Sequence, residues 1–184
     1  MPMSGTLKRK PGRTPELALT IQYGTRCAQL PPPARLRSWA LAALRKNARV
    51  TLRLIGEREA RELNRKFRWR DYATNVLTFI YSKKSPLEGD IAICAPVVAR
   101  EASRQGIERE AHYAHLTVHG MLHLQGFDHA HAPAAKRMEN LETRILARLG
   151  YADPYREAAR PAARKPAKNA ARGLTRKSAR QHER

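Results

Sequence analysis

Between Ala111 and Phe127 the chain has no Asp, Glu, Lys or Arg, although 28% of all its residues are charged. A helix with no charged face has to be wrapped by the rest of the fold. This segment also carries His112, His115, His119 and His123. Each buried imidazole left without a partner costs roughly 1–3 kcal/mol. The surrounding fold must therefore supply hydrogen bonds, or a metal ion that satisfies several rings at once.

Spacing selects which rings can share an ion. His119 and His123 are four apart and lie on one helix face, a single turn from each other. His115 and His123 are separated by roughly 12 Å along the axis at about 1.5 Å per residue. Zinc–nitrogen bonds of about 2.0–2.1 Å do not bridge that gap. Gly126 stops the helix, because glycine accepts the left-handed conformation that reverses the chain. His129 then returns toward the pair. The string from His119 through Gly126 to His129 has the H-x-x-x-H-x-x-G-x-x-H spacing of the metzincin zinc site.

His119, His123 and His129 are thus the expected ligands of one ion, zinc first. Imidazoles also suit nickel, copper and iron. Three nitrogens leave a fourth place for water or substrate. Asp128 is expected either in that place or as an outer partner, and His115 as a neighbour. His112 and His131 read as surface or packing residues. Metzincin peptidases carry a glutamate base after the first histidine; here that position is Gly120, which argues against proteolysis.

The remaining pattern predicts an α+β domain with one small sheet. Leu17, Leu19, Ile21 and Tyr23 alternate as a strand, as do Val50, Leu52 and Leu54. Val76–Tyr81 and Asp90–Cys94 are two further strands, joined by a turn over Ser85–Gly89. About five helices are expected: around Leu36–Leu44, over 57–67 with Ala60, Leu63 and Phe67 inward, over Pro96–Gln105, over Glu108–Gln125 and over Pro133–Leu149. Cys27 and Cys94 form no C-x-x-C pair and suit reduced thiols in a cytoplasm. The first residues lack the apolar run of a secretory signal and no stretch reads as a membrane span, so neither export nor insertion is expected. An Arg-rich, acid-poor start also suits organelle targeting.

Charge adds a partner class. The chain has 36 Lys and Arg against 16 Asp and Glu, a net +20. Residues 1–14 hold +4 and residues 155–184 hold +8. Both segments lack the apolar side chains needed to offset ordering entropy and are expected to be disordered tails. The folded unit is then 15–154, itself at +8. Basic tails on a basic body point to a polyanion such as a nucleic acid, or to charge carried for solubility.

Three blocks carry a family resemblance. The first is His115-Leu-Thr-Val-His119-Gly-Met-Leu-His123-Leu-Gln-Gly126-Phe-Asp-His129. The second is Leu63-Asn-Arg-Lys-Phe67-Arg68-Trp-Arg-Asp71-Tyr-Ala-Thr74-Asn75-Val-Leu-Thr-Phe79, and the third is Gly89-Asp90-Ile-Ala-Ile-Cys94. In that order they resemble the YbeY family, bacterial ribosomal-RNA maturation factors described as single-strand endoribonucleases. The resemblance implies a mixed sheet beside the metal helix, metal bound by His119, His123 and His129, and a role for Arg68 in RNA handling. It implies work in ribosomal RNA processing, small-subunit (16S) maturation and ribosome quality control, with RNA and the ribosome or its proteins as partners.

Read from the residues alone, Arg68 and Arg70 flank Trp69 in a way that suits clamping a phosphate and stacking a base. The same three residues equally suit a core tryptophan between two solvated arginines. Asp71 and Thr74 are expected to organise the following turn, and Lys83 and Lys84 to extend a basic surface. The expected activity is zinc-dependent phosphodiester cleavage, with Arg68 countering phosphate charge and His115 moving or orienting a proton. Two alternatives stand beside it: a ribosome-assembly factor whose metal only holds the fold, and a metal-dependent hydrolase of another substrate.

Overall fold

A computed structural model of the chain describes residues 14–157. The expected tails at 1–14 and 155–184 fall outside the described residues, apart from their inner ends. Four strands and six helices follow in the order β1 Leu17–Tyr23, α1 Pro33–Ala43, β2 Ala48–Ile55, α2 Glu57–Arg68, β3 Val76–Ser82, β4 Leu87–Cys94, α3 Ala95–Gln105, α4 Arg109–Leu124, α5 Ala132–Arg148 and α6 Pro154–Glu157. The fold is α+β with a mixed sheet, as expected; α6 is a single added turn. No helix among the described residues is long and apolar enough to cross a membrane.

The strands lie in the order β1-β2-β4-β3. β1, β2 and β4 are parallel, so Leu19, Val50 and Gly89 stand side by side. β3 runs antiparallel to β4 at the edge, with Phe79 opposite Asp90. Alternation along each strand sends two sets of side chains to opposite faces. One set, including Leu52, Ile91 and Ile93, meets Leu36 and Trp39 of α1 and Val118, Met121 and Leu122 of α4 in the main core. The other set, including Ile55, Leu77 and Ala92, meets Ala60 of α2 and Val97 of α3 in a smaller cluster.

α4 is the centre of the molecule, packed by α1, α3, α5, β3 and β4. Two glycines let it come close to the sheet. A Cβ on Gly89 would stand 2.2 Å from the Phe79 carbonyl oxygen and 2.4 Å from Leu124 Cδ2. A Cβ on Gly120 would stand 2.9 Å from Ile91 Cγ2. Gly89 was expected in a turn. It lies inside β4, because Leu87 already starts the strand and α4 needs the space above it. Phe67 was expected inward and is instead exposed, since Asn64 occupies the inner position and donates to the Tyr72 carbonyl at 2.8 Å.

Candidate metal centre

The charge-free run forms α4, and its apolar side chains are buried on all sides. The helix ends where Gly126 takes φ +87°, and the Phe127 amide donates back to Leu122 O at 3.1 Å. The Asp128 carboxylate then accepts from the His129 amide at 2.7 Å and holds the turn. This reversal returns His129 to the exposed end of α4.

Three imidazoles meet there. His119 Nε2 and His123 Nε2 are 3.0 Å apart. The His129 ring centre lies 5.0 Å from that of His123 and 5.7 Å from that of His119. One nitrogen from each ring falls within 4.8 Å of the other two. Tetrahedral zinc with bonds of about 2.0–2.1 Å needs nitrogens about 3.3 Å apart, so the pair on α4 is already at ligand spacing. The group has three members among the described residues, leaving a fourth coordination place open. Asp128 is not one of them. Burial first, then the neighbouring His119 and His129, pushes His123 down to about 4, so its ring is neutral and able to donate a lone pair at pH 7.

Glu142 of α5, absent from the sequence-based expectations, completes the centre from behind. Its side chain is fully buried, and Oε1 accepts from His119 Nδ1 at 2.8 Å. That bond places the His119 proton on Nδ1 and turns the Nε2 lone pair toward His123, the arrangement that carboxylates impose on metal-binding histidines. Tyr155 donates its hydroxyl to Oε2, and His115 Nε2 stands 3.5 Å from the same oxygen, at ion-pair rather than hydrogen-bond distance. Burial works to raise the Glu142 carboxyl, but His115, His119 and Tyr155 outweigh it and hold it at about 2. It is therefore an anion at neutral pH, with two hydrogen-bond donors, His119 and Tyr155, and His115 close by. Tyr155 was expected as the first residue of the C-terminal tail and belongs instead to the folded unit.

The other named residues divide clearly. His115 is beside Glu142, with His119 as its neighbour one turn on. His112, expected as surface or packing, is 5% exposed and bonded through Nε2 to Glu101 at 2.8 Å. Burial lowers its pKa against the pull of Glu101. His131 is exposed just before α5. Gly120 faces Ile91 of the sheet rather than the cluster, so its lack of a side chain serves packing.

Arg68 ends α2, is exposed, and does not line the cavity of about 450 Å³ that opens on His115, His119 and His129. Trp69 follows it in the left-handed conformation and is 90% exposed, which removes the core reading and leaves its ring free to stack. Asp71 accepts two bonds from Arg61 of α2 at 2.8 and 2.7 Å, an exposed pair that ties it back to the helix.

Comparison with known proteins matches this architecture to one family. A family model described as Endoribonuclease YbeY matches residues 35–150, from α1 through α5. The chain is 58% identical to the Endoribonuclease YbeY of Aromatoleum aromaticum over 142 residues, covering 76% of this chain and 92% of the relative. It is 49% identical to that of Nitrosomonas europaea over 155 residues, covering 84% and 94%. The corresponding protein of Methylobacillus flagellatus is 52% identical over 141 residues, covering 77% and 95%. The matched stretch takes in β2, β3 and β4 of the sheet, the histidine helix and the buried glutamate behind it, so the chain belongs to the YbeY endoribonuclease family.

Proposed function

We propose that this protein is a zinc-dependent endoribonuclease that cuts single-stranded RNA in the cytoplasm during ribosomal RNA maturation, 16S processing and ribosome quality control. The observation that carries the reading is the cluster of three imidazole nitrogens, open on one side, in a chain whose relatives bear the name endoribonuclease. Nickel or another divalent ion suits the same donors.

His119, His123 and His129 would hold the ion. When bound, such a cation stabilises negative charge on a phosphoryl oxygen and acidifies water in its open position. Glu142 keeps the His119 proton on Nδ1, so that ligand is oriented before any cation arrives. His115, half-buried on the cavity wall, holds or moves a proton near the reacting phosphate. Arg68 and Trp69, both exposed at the end of α2, engage the RNA strand, the guanidinium with phosphate and the indole with a base. The net charge of +20 raises the local concentration of RNA around the site in a salt-dependent way.

The test pairs metal with substrate. Highly purified protein is assayed on single-stranded RNA before chelation, after chelation, and after zinc is returned. The expected result is cleavage lost and regained, together with cleavage impaired in Arg68→Ala at unchanged metal content. Metal present with no cleavage would turn the reading into a ribosome-assembly factor with a structural ion. Chelator-sensitive hydrolysis of peptides and not RNA would turn it into a hydrolase of another class.

A further inference from the structure

The cavity beside the histidine cluster extends from it along α4, toward α3 and the residue that precedes β3. At about 450 Å³ it is within the ~300–1,000 Å³ typical of small-molecule sites. Its lining is at odds with the rest of the chain. Among the described residues no Lys or Arg lines this cavity, whereas Glu101, Glu139 and Glu142 do. Away from the histidine cluster, such a lining disfavours phosphate and favours a group that brings N–H donors.

Glu142 is committed to His119 and Tyr155, and Glu139 is at the exposed rim. Glu101 differs from both. Its Oε2 accepts from His112 Nε2 at 2.8 Å and from Asn75 Nδ2 at 2.9 Å. Asn75 is itself fixed, because its Oδ1 accepts from the Val76 amide at 2.7 Å. Oε1 of Glu101 carries no hydrogen bond among the described residues. The fold thus holds one carboxylate oxygen still and leaves the other as an acceptor. Ile107, Leu116 and the Tyr155 ring give the cavity apolar walls. Flat apolar faces with a fixed polar edge match an unstacked base, which proteins read in single strands by stacking and by bonds to the pairing edge.

We infer that this cavity is a nucleobase subsite in which Glu101 selects bases that carry an amino group on the pairing edge; the inference rests on the RNA-cleaving reading above. The base enters the cavity, and the phosphate next to it in the strand lies at the histidine cluster. Guanine offers an imino and an amino hydrogen on one edge, which suits a carboxylate. Cytosine and adenine offer an amino group. Uracil places carbonyl oxygens on both sides of its single N–H and is repelled. A good paired contact of this type discriminates by about fivefold or more.

Guanosine and uridine monophosphates titrated calorimetrically into the zinc-loaded full chain test the subsite, since their shared phosphate cancels. Guanosine monophosphate is expected to bind at least about fivefold more tightly. Glu101→Gln, which puts a donor beside the acceptor, should remove that preference at unchanged zinc content and melting temperature. Ile107→Trp, which fills the cavity without touching Glu101, should weaken both nucleotides. Equal binding of the two by the unmodified protein overturns the inference, as does a preference that survives Glu101→Gln. RNA cleavage measured in parallel keeps the two readings apart. Discrimination without cleavage removes the nuclease and keeps the subsite, and cleavage without discrimination removes the subsite alone.

Discussion

Replacing Glu142 with Gln tests whether the buried carboxylate tunes the metal centre or only fills space. The bond from His119 Nδ1 is 2.8 Å long and ends on a fully buried anion. Hydrogen bonds to charged groups are worth about 1.5–3 kcal/mol, roughly twice their neutral counterparts. Glutamine keeps an acceptor and loses the charge, so about 1 kcal/mol of support for the His119 lone pair disappears. At 1.4 kcal/mol per tenfold, zinc affinity should fall about fivefold. Leucine removes the acceptor as well and should cost the 10–100-fold typical of lost outer partners.

Stability moves differently. Removing a buried charge also removes its desolvation cost, so metal-free Glu142→Gln should melt within a few degrees of the unmodified protein. Competition with a chromogenic chelator at pH 7, paired with thermal melts of the metal-free proteins, reads both quantities. Undiminished zinc affinity in both variants would refute the argument that Glu142 orients His119.

Three further outcomes follow from the geometry. Gly89→Ala should destabilise the domain by about 3 kcal/mol or more, because the clash is with backbone at Phe79 O and with Leu124 on α4; a denaturant midpoint equal to that of the unmodified protein would show that the close approach is not required. The metal-free protein should lose stability as pH falls from 6.5 toward 4. His123 is held down to about 4 and His112 is lowered from 6.5, so the unfolded chain binds protons first and draws the equilibrium toward itself. His123 alone should contribute about 1–2 kcal/mol between pH 6.5 and 5 after solvent screening, and urea titrations at pH 7.5 and 5 that coincide would contradict it. Trp69→Ala should leave stability within about 0.5 kcal/mol while weakening single-stranded RNA by about fivefold or more, as expected for an exposed stacking ring; unchanged RNA affinity in a filter-binding assay would take Trp69 out of the interface.

The triad was legible because its signal is local. His119, His123, Gly126 and His129 lie within one helix end and its turn, where spacing alone fixes direction. Glu142 lies 23 residues from His119 in the chain, and no spacing rule reaches that far. A cue was nevertheless present: it sits at helical spacing between Met138 and Ile145, a charge in an otherwise apolar stripe. Such a charge must have buried partners. Tyr155 was hidden by its Ala- and Arg-rich surroundings, although the aromatic ring itself set it apart. The strands were readable from alternation, but the order β1-β2-β4-β3 was not, since alternation records faces and not neighbours. Gly89 was misread, and the packing role of Gly120 missed, for a related reason. Their role is to admit a partner from elsewhere in the chain, which only packing reveals.

X-ray absorption and elemental analysis of the purified protein, repeated on His123→Ala and His129→Ala, address the centre directly. The account predicts one ion per chain in the unmodified protein, with three imidazole nitrogens at about 2.0–2.1 Å, and loss of that ion in both variants. An unmodified protein without a bound ion, or variants that retain it with the same coordination, would contradict the three-histidine site.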